Sequence, residues 1–573
     1  MRGFQQHRSP TESDTGIATL PNAPFYRWAY FLSCSLLFAF PWLMMLALRG
    51  EPLTIGTESV AYRFLYSDRL LDGEGSSVWV LAGFLLTAIQ NALLRGIDLV
   101  SGVPMGDLRS RVFLFTHATN AVHCLFSAAI FFIAGMSRRL LWGDRALLAL
   151  VGLGPVYLTR VIGFHYYIVP DYYATNAVLT LCAVFVFQSE WRRHHENTSF
   201  LRCALLGGFA GVMVANKITL APLSLLMLAP ALLKGHIRPI VLFARLVTAA
   251  FAALAAFVLI VLAFYLFNVS ALFEMLHKWI PTVLHPGGQQ DFQSLVGGTG
   301  FWHSAFWKGL IDYSYGYILA LWFVNYLLIS GLLIREKIFN VRSRVVLTLN
   351  GLTVISWLCF LIKRPAGTTF FEMSVTLLAL TGCALTLVAK TGNGRLVIGI
   401  VLAASAIFAV STFDLRQNVL SLEQSALVAD HLWQLQKDVM DFAGGRPIVV
   451  ILPRNEYRYR GVPEFLLKGS ADTPTWNIIH GKRIVNRYAR GMTFRHEYGG
   501  TSPNAPISAG TVVYWVDIPW LEPLTSLYPT LRQAIWQPSN KERHWSIPYP
   551  FAGAGVELTA HAVLLSEPVG LIA

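Results

Sequence analysis

The chain has 573 residues, 54% of them hydrophobic and only 13% charged, which excludes an ordinary water-soluble protein and points to a polytopic membrane protein. The net charge of +13 is assigned to topology and anionic lipid rather than nucleic acid, because lysine and arginine gather in the cytoplasmic loops of membrane proteins. All six cysteines lie in or beside apolar runs without Cys-x-x-Cys or Cys/His spacing, which excludes a disulfide framework and a zinc site.

Residues 1–26 are polar, lack the apolar core and cleavage site of a signal peptide, and are expected to form a disordered cytoplasmic tail. A transmembrane domain is expected over 27–412, with apolar runs of spanning length near 28–48, 112–135, 146–164, 172–189, 241–267, 317–334, 345–362, 372–390 and 396–412. The first outer loop, roughly 50–110, carries Glu51, Glu58, Asp68, Asp72 and Glu74 and a 17-residue apolar stretch, 78–94. That stretch reads as an interfacial helix, because counting it as a span would reverse every later loop. The basic linkers (Arg138, Arg139 and Arg145; Arg192 and Arg193; Lys234 and Arg238; Arg335, Lys337, Arg342 and Arg344; Lys390 and Arg395) are placed in the cytoplasm. "HYYIVPDYY" (165–173), 268–316 and "KRPAGTTFFE" (363–372) face outward.

The apolar segment 203–234 is flanked by Arg202 and Lys234, both on the cytoplasmic side, so it must enter and return. As one helix it would be about 48 Å long, against a hydrocarbon core of about 30 Å. A break near Asn216 and Lys217, supported by Pro222, divides it into two halves and leaves Lys217 at a submerged turn. Counting the two halves separately gives about eleven transmembrane helices. The remaining 413–573 then form an extracytoplasmic α/β domain, with an amphipathic helix after 413 and buried strands in "PIVVILP" and "GTVVYWVD". The fold class is mainly α.

Ionisable residues within a bilayer are functional candidates by default. Glu58, Asp171 and Lys217 are brought to one outer face by this topology. Two carboxylates and a lysine there suit transfer from an anionic lipid carrier: a carboxylate takes the acceptor's proton and the cation stabilises the departing phosphate. Arg63, His165, Lys363 and Arg364 add positive charge. The structural readings stand beside these: Lys217 as a snorkelling anchor, Asp171 as a helix cap and Glu58 as a solvated loop acid. Asp72 and Glu74 form an Asp-x-Glu pair of the kind that holds a divalent ion through oxygen.

The stretch "YYIVPDYYATNAVLTLCAVFVF" resembles the segment of GT-C glycosyltransferases in which an Asp follows a short outer loop and begins a span. "GGFAGVMVANKITLAPLSLLMLAP" is similar to their glycine-rich helix followed by Lys-x-Thr and a Pro-containing apolar run. The pattern looks most like the protein O-mannosyltransferases and the lipid A aminoarabinose transferases, and covers roughly 28–412. The resemblance implies an inverting transfer of a sugar from a polyprenyl-phosphate donor to an acceptor hydroxyl on glycan, lipid or protein. It implies no required cofactor, no nucleic-acid partner, and a bacterial inner (plasma) membrane location with a cytoplasmic N-terminus. By the same resemblance Glu58 is the general base, Asp171 the second acid and Lys217 the donor-phosphate lysine. The family usually has Asp in the first loop, so Asp68 stands as the alternative base. The rival functional class is a lipid-linked saccharide transporter or flippase, since broken helices with polar groups at depth also mark transport sites.

Overall fold

The computed structural model describes residues 24–50, 83–100, 108–158, 172–193, 198–234, 238–270, 315–363, 367–451, 492–495, 507–517, 539–548 and 555–569, with a few isolated positions between them. Its helices are α1 (Pro24–Ala47), α2 (Phe84–Val100), α3 (Leu108–Met136), α4 (Trp142–Tyr157), α5 (Tyr172–Arg192), α6 (Phe200–Asn216), α7 (Ala221–Leu232), α8 (Pro239–Phe264), α9 (Tyr315–Arg335), α10 (Val341–Lys363), α11 (Gly367–Val388), α12 (Gly392–Thr412) and α13 (Leu415–Ala443). A 3-10 turn, Ile218–Leu220, links α6 to α7. The strands are β1 (Ile448–Ile451), β2 (Met492–Arg495), β3 (Val512–Asp517), β4 (Lys541–Pro548) and β5 (Glu557–Leu564).

Each apolar run expected from the sequence overlaps a described helix. Among the described residues six helices are long and apolar enough to cross a membrane: α1, Phe113–Met136 of α3, α8, Gly316–Arg335 of α9, Phe371–Val388 of α11, and α12. The other described helices fall short of that criterion in length or apolarity. In the stretch 78–94 the helix begins at Phe84 and continues through "RGIDLV" to Val100, packing against α3, α6 and α8.

The centre of the bundle is α11, whose apolar window is wholly buried among α4, α5, α9, α10 and α12. Hydrogen bonds lock this centre, because polar side chains in hydrocarbon must find partners within the protein. Trp322 Nε1 of α9 donates to Asn350 Oδ1 of α10 at 2.7 Å, and Asn350 Nδ2 donates to Leu380 O of α11 at 2.8 Å. By contrast α8 lies at the rim, with Phe251, Leu254 and Leu259 exposed to what would be lipid. Against α8, α6 packs most closely of all. A Cβ at Gly207 or Gly211 would strike the backbone of Ala249 or Ala253, so this Gly-x-x-x-Gly face needs its glycines for close backbone approach.

The basic linkers converge at one end of the bundle, where buried ion pairs tie them together. Glu190 of α5 accepts from both Arg202, in the first turn of α6, and Lys234, just after α7, the latter at 2.8 Å. The hairpin α6–α7 therefore does enter and return, with both feet on one carboxylate. From α8, Arg245 donates to Leu232 O and Lys234 O at 3.2 and 2.8 Å, satisfying carbonyls left open at the end of α7. Arg192 binds Asp144 through two nitrogens at 2.7 and 2.8 Å, and Arg342 stacks its guanidinium 4.6 Å from the Trp191 ring. Burial holds the Lys234 ammonium below its usual range, while its hydrogen bond to Glu190 works the other way.

At the opposite end, α13 docks on α1 through Leu422 and Met45. Asp414 caps α13 by accepting from Gln417 N at 2.9 Å, and Gly444 ends it in the left-handed conformation at φ 55°. The strands form one five-stranded mixed sheet in the order β2-β1-β3-β5-β4. β1 is parallel to β2 and β3, whereas β5 is antiparallel to β3 and β4. Phe442 of α13 meets Trp545 of β4 edge-on at 6.4 Å, which joins helix to sheet.

Candidate anion site at the break between α6 and α7

The break lies at Lys217. Its backbone is extended (φ −159°, ψ 129°) between α6 and the 3-10 turn. It remains bonded on both sides, with Lys217 N donating to Met213 O and Leu220 N donating to Lys217 O, each at 3.0 Å. Pro222 then sits in the first turn of α7, where its missing N–H costs nothing and its fixed φ suits a helix start. Gly83 N donates to the freed Asn216 carbonyl at 2.6 Å, which anchors the start of α2 at the same place.

The Lys217 ammonium donates to Glu372 Oε1, from the second turn of α11. The two side chains are 15% and 5% exposed. An ammonium so far from water needs a compensating anion, and breaking such a pair leaves a buried charge without one. The Lys217 Nζ also lies 5.5 Å from the centre of the Tyr173 ring on α5, and Tyr173 meets Phe371 edge-on at 6.1 Å. One helical level deeper, Asn216 Nδ2 donates to Asn176 Oδ1 at 2.7 Å, and His123 Nε2 lies 3.0 Å from Thr175 Oγ1.

Beside the ion pair is a small cleft lined by Tyr173, Asn176, Thr180, Thr219, Trp357 and Glu372, among others. The buried side-chain oxygens of Thr180, Asn216 and Thr219 have no hydrogen-bond partner among the described residues. Among the described residues the site thus offers one cation, one carboxylate, an aromatic face and unsatisfied oxygens. An ammonium that binds a carboxylate oxygen has the charge and donor geometry to bind a phosphate oxygen.

Of the residues expected from the sequence, the structure describes the side chain of Lys217 alone and places it at the expected break. Glu58, Arg63, Asp68, Asp72, Glu74, His165, Asp171 and Arg364 lie outside the described residues, and Lys363 is described only as the last backbone position of α10. Among the described residues no group of three or more His, Cys, Asp or Glu is placed to hold a metal ion. Glu372 is the residue that sequence reasoning missed. It is the sole acid between Glu336 and Asp414 and opens an apolar run, so the rule applied to Lys217 would have found it.

No family model and no curated protein matches the chain. Among solved structures it is similar to an oligosaccharyltransferase from Archaeoglobus fulgidus, crystallised with Zn and sulfate, at 11% identity and a TM-score of 0.35. The match covers 72% of this chain and 60% of that one, so the chain spans less than two thirds of that structure. Agreement at that level is too weak to assign a shared fold, and the reading of this chain rests on its own residues.

Proposed function

We propose that the chain is an inverting membrane glycosyltransferase that moves a sugar from a polyprenyl-phosphate donor to an acceptor hydroxyl. The observation that carries this reading is the lysine at the broken hairpin, held by a carboxylate beside an aromatic ring and a polar cleft. The order of motifs along the chain, which resembles GT-C enzymes, supports it. Lys217 binds the donor phosphate, with Lys363, Arg364, Arg63 and His165 supplying further positive charge. The acceptor hydroxyl attacks the anomeric carbon while Glu58, or Asp68 in its place, takes the hydroxyl proton. The bond from that carbon to the phosphate oxygen breaks, and polyprenyl phosphate leaves with the electron pair, its charge met by Lys217. Asp171 acts as the second acid beside Tyr172, where α5 begins. The site faces the extracytoplasmic side of a bacterial inner membrane, about eleven helices cross it, and no metal is required.

The rival reading, transport of an intact lipid-linked saccharide, draws on one observation. His117, Asn120, His123 and Ser127 form a buried polar stripe along α3, of the kind that lines a path through a bundle. Proteoliposomes given a donor labelled in the sugar and an acceptor separate the two. Release of free polyprenyl phosphate that depends on Lys217 supports transfer, whereas movement of the uncleaved lipid across the bilayer supports transport.

A further inference from the structure

One partner of Lys217 in this structure is a carboxylate of the protein itself. Glu372 approaches from α11, the most deeply buried helix, and only 5% of its side chain is exposed. It also lines the cleft beside the break. A donor phosphodiester arriving at Lys217, or the phosphate monoester left after transfer, meets a position already held by an anion, and two anions cannot share one ammonium in so dry a place without strong repulsion.

We propose that Glu372 is the built-in competitor of the donor phosphate: it keeps Lys217 charged and oriented between turnovers, and gives the lysine up when the headgroup of a polyprenyl phosphate binds. This rests on the reading of Lys217 as the phosphate lysine and assigns Glu372 a positioning role. The exchange puts one anion in place of another at a fixed cation, and because the displaced carboxylate stays in the cleft, the binding step adds the charge of the headgroup there. The displaced carboxylate remains beside Asn176, Thr180 and Thr219, whose side chains line the same cleft. The unsatisfied Thr180 and Thr219 hydroxyls are donors able to receive it. Release of product reverses the exchange, with Glu372 returning to Lys217 and helping to expel the polyprenyl phosphate.

The probe is farnesyl phosphate, with farnesol as the uncharged control and inorganic phosphate as the free-ion control, titrated into detergent-solubilised full-length protein. Removing the competitor in Glu372→Gln is expected to tighten farnesyl phosphate about tenfold, as for a site whose lysine is released about a tenth of the time, and to leave farnesol unchanged. Glu372→Asp, which keeps the charge, is expected to restore wild-type affinity, and Lys217→Gln to lose the phosphate-specific part of binding. Equal or weaker binding of farnesyl phosphate by Glu372→Gln overturns the proposal, as does the absence of Lys217-dependent binding in both proteins. A response to inorganic phosphate as strong as that to farnesyl phosphate removes the lipid headgroup as the displacing ligand.

A second measurement uses the unaltered chain. Labelling of Glu372 by a hydrophobic carbodiimide, read by mass spectrometry, is expected to rise when farnesyl phosphate frees the carboxylate from Lys217; an unchanged or lower yield contradicts the exchange. The binding arm and the sugar-transfer assay fail separately. Lys217-dependent exchange without transfer removes the enzyme reading and leaves the exchange standing, while transfer without tightening in Glu372→Gln does the reverse.

Discussion

At the scale of single residues, Lys217 and Asp144 illustrate two uses of buried charge. Lys217 sits where the chain is extended and a cleft opens beside it, and Lys217→Ala is expected to abolish release of polyprenyl phosphate from a labelled donor while the protein still folds. Turnover at the wild-type rate in that variant would remove the lysine from the mechanism. Arg192 and Asp144 are 3% and 0% exposed. Their bidentate pair fastens α5 to the start of α4. Arg192→Ala should cost about 3–5 kcal/mol, because Asp144 is left buried and charged. Thermal unfolding in detergent measures the loss; a shift within error of zero would mean water reaches Asp144. Sequence alone marked Lys217, since a lysine inside an apolar run is conspicuous. It did not mark the partner, which lies 155 residues away, because nothing local in "TTFFEMSV" says which cation the glutamate will meet.

At the scale of elements, the α6–α7 hairpin was legible in advance for a geometric reason. Arg202 and Lys234 carry the same sign at the two ends of a run too long for one crossing, so the chain had to turn back between them. Their common partner Glu190 confirms the return. The close seating of α6 on α8 was not legible, because Gly207, Gly208 and Gly211 look alike in sequence and only their faces differ. A Cβ at Gly211 would enter the backbone of Ala253, whereas one at Gly208 meets nothing within 4 Å. Gly211→Leu is therefore expected to separate the helices at a cost of about 1–3 kcal/mol or more. Gly208→Ala should be neutral or stabilise by up to about 1 kcal/mol through helix propensity. Matched thermal melts of the two variants test the assignment, and equal destabilisation would refute it. The boundaries of α2 escaped the sequence reading for a similar reason: hydropathy marked the apolar stretch, but the helix continues through "RGIDLV", where Leu99 and Val100 are exposed.

At the scale of the whole molecule, charge sorting divides the bundle into an end held by Glu190, Arg192 and Arg342 and an end that carries Lys217. The proposed topology puts these on opposite sides of the membrane. Single cysteines at the exposed positions Gln417 and Lys337, introduced into a chain without its native cysteines, should react with a membrane-impermeant maleimide from the extracytoplasmic and the cytoplasmic side respectively. Labelling of both from one side would undo the arrangement and the function drawn from it. The C-terminal sheet meets α13 through Phe442 on Trp545, and α13 meets α1 through Leu422 on Met45; the proposed topology places both on the extracytoplasmic side.

The double grip of Glu190 on Arg202 and Lys234 has a practical corollary. A tent pole is steadied by guy ropes pegged far from its tip, and here both ropes share one peg. A lesion at position 190 would slacken the hairpin and let Lys217 wander in depth, so it would imitate a defect in donor capture from the other side of the bilayer. Genetic screens for inactive variants should accordingly collect hits at the base of this hairpin as well as at its summit.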